Sequence, residues 1–407
     1  MLNALFDQSR VPPEHRWAFQ HLYWEVGWFG VLSGSSLSFL YIYATRIGAT
    51  ALQIGLMTAL TALTNLALAI PAANWLQRRP LHASVFWTSV AYRAGFLLLI
   101  PLPWLLSGPA QVWALVILTL SMAVPLTPLG IGFNALLAEA VPAEWRAHVA
   151  GIRGATLAIT FMLSAYASGL ILRAAPFPLG YQIVFAIGAA GAAMSSFHIY
   201  RIRTPAAPTG AAAARSGVAA ASPLRFDVWR THFRRVLLAL FAFHLAQYLA
   251  MPLFPLYSVR VLGLQDNQIG LGTALFYLTV LVGSTQLRRA SHRLGHRQVT
   301  GVGVIGMGFY PLLLAFATRP SHFYWISLLG GFAFALASGA FANYMLEHIP
   351  ADDRPSHLAW YNVVFNAAIL AGALIGPLIA DRIGLAGALV AFGVLRFFAG
   401  LVIIRAG

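Results

Sequence analysis

The chain has 407 residues, of which 59% are hydrophobic and 9% charged, where a soluble protein carries about 25% charge. A globule of this size cannot bury that much apolar surface, so lipid is the solvent for most of the chain and a soluble enzyme or binding domain is excluded. The formal charge of +15 comes from 26 arginines with no lysine, and the lack of cysteine excludes disulfides, thiolate metal sites and cysteine nucleophiles.

Apolar runs long enough to cross a bilayer fall near 17–45, 51–75, 83–106, 111–138, 148–172 and 179–200, then near 236–260, 268–287, 299–318, 323–346, 357–380 and 384–404. The first run is too long for a cleavable signal peptide. Between the sixth and seventh lies RTPAAPTGAAAARSGVAAASP, with the composition of a flexible linker. The basic segment after it, LRFDVWRTHFRR, is expected to lie along the membrane surface. The chain therefore divides into 1–200, a linker at 201–235, and 236–407. The expected fold is an all-α integral membrane protein, with twelve transmembrane helices in two pseudo-symmetric six-helix bundles.

With twelve spans both termini share a side. Nineteen arginines fall on that side and five on the other, with Arg93 and Arg396 inside spans. The positive-inside rule makes the terminal side cytoplasmic and the protein a multi-pass protein of the cell (inner) membrane. The basic charge then reads as topology and anionic-lipid contact, not nucleic-acid binding.

The two halves repeat each other. EAVPAEWRAH (139–148) returns as EHIPADDRPSH (347–357), with Glu139/Glu347, Pro142/Pro350 and Arg146/Arg354 each 208 residues apart. YATRIGATALQIGL (43–56) returns as YSVRVLGLQDNQIGL (257–271), pairing Tyr43/Tyr257, Arg46/Arg260 and Ile54-Gly55/Ile269-Gly270. QRRPLH (77–82) aligns with HRLGHR (292–297). Internal repeats of this kind are a hallmark of secondary transporters.

On these motifs the whole chain resembles the major facilitator superfamily. The phrase E-x-x-P-x-[DE]-x-R looks like that family's loops 4–5 and 10–11. The family's G-x-x-x-D-R-x-G-R-R signature is degraded here to Q77-R-R-P-L-H and H292-R-L-G-H-R, both without the acid. The proline signature that antiporters carry in helix 5 is missing, while Gly376-Pro377 occur in helix 11. The resemblance implies that helices 1, 4, 7 and 10 line a central cavity and that 3, 6, 9 and 12 lie outside it.

Polar groups inside spans are costly and so are functional candidates. Glu25 is the acid well inside a span, with His21 a turn before it, and is a candidate proton carrier; the alternative is a snorkelling side chain at the mouth. His244, Gln247 and Tyr248 share one face of helix 7 as a solute-contact patch, His244 being the second candidate for coupling. Thr58, Thr61 and Asn65 form a stripe on helix 2. Thr127, Asn134, Asn343, Asn362 and Asn366 add polar groups on helices 4, 10 and 11. All of these either bind solute or join helices.

Ser33-Gly34-Ser35-Ser36 reads as close helix packing. Arg93 and Arg396 read as structural donors to backbone carbonyls. His292, Arg293 and His296 read as a solvated loop, and no metal site, cofactor or catalytic centre is expected. The cytoplasmic gate is expected from Arg78, Arg79, Glu139, Arg146, Arg293, Glu347 and Arg354, the two glutamates binding arginines of the neighbouring loops.

These features together lead to a monomeric, proton-coupled secondary transporter of a small organic solute, working by alternating access. The aromatic content of 13% favours export of an amphipathic or drug-like compound. The alternatives are uptake of a polar metabolite, and a transport-fold sensor or assembly factor for a membrane complex.

Overall fold

Helix starts follow local chemistry, and the two halves use the same devices. The computed structural model describes residues 11–202, 225–350 and 353–405. The first bundle holds α1 (Pro13–Arg46), α2 (Ala51–Gln77), α3 (Leu81–Leu98), α4 (Gly108–Ala140), α5 (Arg146–Ala174) and α6 (Leu179–Arg201). The second holds α7 (Phe233–Val261), α8 (Asp266–Leu294), α9 (His296–Ala315) and α10 (Pro320–Glu347). The run Arg354–Arg405 completes it as α11 and α12, folded at Gly384 with φ 76°.

Among the described residues ten helical runs are long and apolar enough to span a membrane. Arg354–Arg405 contains two spans, and the short α3, which carries Arg93, completes twelve.

A capping box opens α2: Thr50 Oγ1 accepts from the Gln53 N–H at 3.2 Å, and Gln53 Oε1 from the Thr50 N–H at 2.9 Å. Its counterpart opens α8, where the Gln265 N–H donates to Gln268 Oε1 at 2.9 Å. Gly48 (φ 97°) and Gly263 (φ 62°) turn the chain just before each box, a backbone geometry that favours glycine. The repeat legible in the sequence is thus a repeated loop and helix start.

Within the first bundle α1 packs on α5 and α6, α2 on α4, and α3 on α4 and α6; within the second α7 packs on the α11–α12 run, α8 on α10, and α9 on α10 and the run. Two long seams join the halves, α5 with α8 and α2 with the run, and the far-face end of α1 also meets that of α7. The serine–glycine stretch of α1 is a packing surface. A Cβ on Gly34 would meet Phe161 O at 2.4 Å, and one on Gly188 would meet Ser36 Oγ at 1.9 Å.

Three expectations change. The third span stops at Leu98 and a separate turn, Leu102–Leu105, follows it. The eighth runs on to Leu294, so Arg288, Arg289, His292 and Arg293 sit on its last turns, not in a loop. Long arginines reach water from a helix, so charge does not have to end one. The segment after the linker docks on α11: the Trp360 indole N–H donates to Arg225 O at 2.8 Å, and Phe226 and Trp229 meet the Trp360 ring. Most of the linker, 203–224, lies outside the described residues.

Arg396 behaves as expected, and a proline supplies the reason. Pro311 has no N–H to offer Met307 one turn back, and Arg396 Nη1 donates to the freed Met307 carbonyl at 3.1 Å. Its Nη2 reaches Gln247 O at 3.1 Å and Ala246 O at 3.4 Å. Arg93 departs from expectation, bonding side chains instead of carbonyls.

Candidate functional site, a cavity between the two bundles

The halves are clasped at the face opposite the chain termini. Arg46, at the end of α1, donates to Asp266 Oδ1 through Nη2 at 2.9 Å and Nε at 3.2 Å, and to Leu264 O at 2.6 Å. Arg260, its repeat partner, donates to Ala49 O at 2.7 Å. Below the clasp two glycines bring backbones together. A Cβ on Gly55 would stand 2.1 Å from Ala373 O, and one on Gly270 2.7 Å from Ala165 O. Deeper still, Phe161 and Tyr277 stack across the α5–α8 seam with centroids 3.7 Å apart.

A polar chain crosses the halves at mid-helix. Thr127 Oγ1 (α4) donates to Asn65 Oδ1 (α2) at 2.7 Å, Asn65 Nδ2 donates to Asn366 Oδ1 (α11) at 3.4 Å, and Asn366 Nδ2 donates to Asn362 O at 2.9 Å. Towards the terminal face the space widens: Asn134, Asn343 and Asn362 are exposed, and Gly130, Gly151 and Gly154 face open space. Asn65, Thr127 and Asn366 are thus brought together between the halves, with the exposed Asn134, Asn343 and Asn362 on the terminal side of them.

On the second half His244 is buried in an aromatic cage. Its ring lies 4.6 Å from Phe365, 5.7 Å from Phe341 and 6.1 Å from Tyr361, with Nε2 3.3 Å from the Tyr361 hydroxyl. His244 Nδ1 has no hydrogen-bond partner among the described residues. Tyr248 touches Phe365 at 6.2 Å. Gln247 is half-buried, and its carbonyl is held by Arg396.

Glu25 lies outside this constellation. Its carboxylate receives Arg153 Nη1 at 2.9 Å, Ser195 Oγ at 3.0 Å and Arg93 Nη2 at 3.4 Å. Arg93 also donates to Ser89 Oγ at 2.7 Å and Ser196 Oγ at 3.1 Å. The snorkelling alternative is therefore replaced by a buried charge cluster tying α1, α3, α5 and α6, and Arg93 is drawn to it because the carboxylate is a stronger acceptor than a carbonyl already bonded in its own helix. One turn nearer the terminal face, His21 Nδ1 and His198 Nδ1 are 2.8 Å apart.

The expected gate residues gather at the terminal ends of the helices. Arg146 donates to Val141 O at 3.3 Å and Ala138 O at 3.2 Å, capping the end of α4. Glu347, the last residue of α10, faces His296 at 3.9 Å, and Arg79 lies 5.0 Å over the Trp75 ring. Arg78 caps α2, Arg354 starts α11, Glu139 sits in the last turn of α4, and Arg293 on the last turn of α8.

The profile of the major facilitator superfamily matches residues 26–265 and 236–406. The chain belongs to the major facilitator superfamily. As a major facilitator it is a multi-pass membrane transporter of small solutes. It is 25% identical over 281 residues to the cis,cis-muconate transport protein of Acinetobacter baylyi, covering 67% of each chain. It is 29% identical over 130 residues to the class B tetracycline resistance protein of Escherichia coli, covering 31% of this chain and 32% of that one. Among solved structures it resembles a variant of the nucleoside transporter NupG, with TM-score 0.71, 11% identity and coverage of 96% and 99%. It also resembles a bacterial homologue of the human lysosomal transporter Spinster, with TM-score 0.66, 15% identity and coverage of 97% of each chain.

Four elements of the site were not assigned by sequence reasoning: the Arg46–Asp266 clasp, Arg260, the Gly55 and Gly270 approaches, and Arg153. The signal for the first three was present, since Arg46/Arg260 and Gly55/Gly270 are repeat partners. Arg153 was only counted among the nineteen arginines of the terminal side, whereas it lies inside α5 on Glu25.

Proposed function

We propose that this major facilitator exports a small amphipathic organic compound in exchange for protons, from a cavity that faces the cytoplasm in the captured state. The observation that supports the reading is the clasped far face above the Asn65–Thr127–Asn366 chain, with exposed Asn134, Asn343 and Asn362 between that chain and the terminal face. The excess of arginine on the terminal side supports a cytoplasmic orientation and cell-membrane location. An aromatic cage beside amide and hydroxyl groups suits a solute with a flat apolar body and a few polar atoms, and a relative is named for tetracycline resistance.

For coupling, His244 is the better candidate. It lies beside the cavity with one ring nitrogen open, whereas a proton on Glu25 would have to displace two ion pairs. The expected gate residues Arg78, Arg79, Glu139, Arg293 and Glu347 would pair across the terminal face only when it closes, which is the other half of the cycle.

The test is transport of candidate compounds into everted membrane vesicles under an imposed pH gradient, with His244→Asn alongside wild type. Gradient-driven accumulation that His244→Asn abolishes, while exchange down the solute's own gradient survives, is the expected result. Accumulation by the variant equal to wild type would remove His244 from coupling. Uptake of a polar acid is the second reading, favoured by the relative named for cis,cis-muconate transport; accumulation in right-side-out vesicles instead of everted ones would select it.

A further inference from the structure

A second cavity lies away from the transport pathway, on the outer surface of the first bundle. α3 packs on α4 and α6, and α6 on α1, α3 and α5, so the groove between α3 and α6 faces the membrane. It encloses about 520 Å³ and is walled by Phe86, Val90, Leu97, Phe197 and Tyr200 over small alanines, with Arg93 the charged residue of its lining. Leu97, Phe197 and Tyr200 are all exposed along it. An apolar trough of this size is within the range of small-molecule sites.

Its polar end is incompletely satisfied. Arg93 is only 6% exposed, and its Nε donates to no acceptor among the described residues. The cluster it belongs to carries one carboxylate, Glu25, against two guanidinium groups, Arg93 and Arg153. One positive charge is therefore uncompensated inside the bundle, and Arg201, exposed at the terminal end of α6 over Phe197 at 5.7 Å, adds a solvated positive charge nearby. Buried charge is stable only when paired, so both the orphan N–H and the excess charge ask for an anion.

Depth selects its kind. Arg93 is twelve residues past Leu81, roughly 18 Å along the helix at 1.5 Å per residue. A phospholipid would have to bring its glycerol and second chain that far below the headgroup layer. A single-chain acid has no such burden.

We propose that the α3–α6 groove binds a lipophilic carboxylate from the membrane, its ionised head on Arg93 and its apolar body along Phe86, Leu97 and Phe197. The ligand completes the charge balance of the Glu25 cluster, and through Glu25 and Arg153 it touches the inner side of the bundle. The site stands on the first bundle alone and is independent of which solute is carried or in which direction.

The experiment titrates radiolabelled oleate onto the full-length protein in phosphatidylcholine nanodiscs, with empty nanodiscs as background. One saturable site per chain is expected, with oleyl alcohol and phosphatidylglycerol failing to compete. Ala193→Trp, which fills the groove while leaving every charged side chain of the cluster in the sequence, should weaken binding at least ten-fold at an unchanged unfolding temperature. Arg93→Gln should abolish it. The proposal is overturned if oleate shows no saturable site, if Ala193→Trp binds like wild type, or if oleyl alcohol competes as well as oleate. Displacement by phosphatidylglycerol would overturn the assignment to a single-chain acid.

Discussion

Replacing Asp266 with Asn should loosen the far-face clasp while leaving both bundles folded. Asp266 Oδ1 takes two bonds from Arg46, at 2.9 and 3.2 Å, and the side chains are 15% and 28% exposed. A fully exposed ion pair contributes about 0.2–1 kcal/mol, and a hydrogen bond to a charged group about 1.5–3 kcal/mol. The partial exposure here argues for the lower end of the second range. Asn retains an acceptor, so roughly 1 kcal/mol is lost, which shifts the ratio of far-face-closed to far-face-open molecules about five-fold. Adding Arg260→Gln removes the 2.7 Å bond to Ala49 O as well, and the pair should shift the ratio roughly twenty-fold if the two contacts act independently. The native chain has no cysteine, so Leu106→Cys and Phe316→Cys can carry spin labels without background. These sites are exposed and lie in far-face loops of opposite halves. Pulsed dipolar spectroscopy should reveal a longer-distance population that grows from the single to the double variant. Distance distributions identical to wild type would refute the clasp as a determinant of state.

Gly55→Ala and Gly270→Ala should each force the seams apart, because the new methyl would stand 2.1 and 2.7 Å from a backbone carbonyl. The same label pair reads the opening, and Gly169→Ala, whose nearest contact is 3.1 Å, should be milder. Glu25→Gln should cost about 3 kcal/mol of stability by leaving the buried Arg93 and the part-buried Arg153 without their counter-ion. A large drop in unfolding temperature is expected, and loss of pH-driven transport at an unchanged temperature would return Glu25 to the coupling role. Outside the membrane, the hydrogen bond and charge of Arg225 hold the Asp227 carboxyl below its ordinary value. The support this exposed pair gives to the docked 225–230 turn is therefore full above the ordinary carboxylate range and fades as pH falls through the lowered value, a small effect because the pair is solvated. Limited proteolysis between 225 and 235 against pH would check the direction.

Most of the architecture was legible because lipid imposes it. An apolar run of twenty residues has few fates in hydrocarbon, and the repeat of loops 1–2 and 4–5 could be read by inspection. The midplane residues Asn65, Thr127 and Asn366 were named for the same reason, as amides and hydroxyls are conspicuous among leucines and alanines. What sequence could not give was partnership. Glu25 and Arg93 are 68 positions apart and Arg153 is 128 from Glu25, so nothing local announced that three costly charges share one cluster. Helix ends were misjudged where arginines were read as loop residues, since a long cationic side chain lets the helix continue beneath it. The clasp was overlooked for a different reason. Its charged residues lie at helix ends on the far face, and a charge there looks like an ordinary solvated one until the other half is seen across from it.

Pro311 illustrates how a rule of thumb can invert. Exchanging an intramembrane proline for alanine is a standard thermostabilising move, since proline costs a helix about 3 kcal/mol. Here the missing N–H leaves the Met307 carbonyl to serve as a docking port for Arg396. Alanine at 311 would supply a competing donor and leave the guanidinium short of an acceptor in hydrocarbon. The two positions therefore behave as one heritable unit, 85 residues apart in sequence. In homologous chains a helix former at 311 should accompany an uncharged residue at 396, and an engineer seeking a sturdier protein should change both or neither.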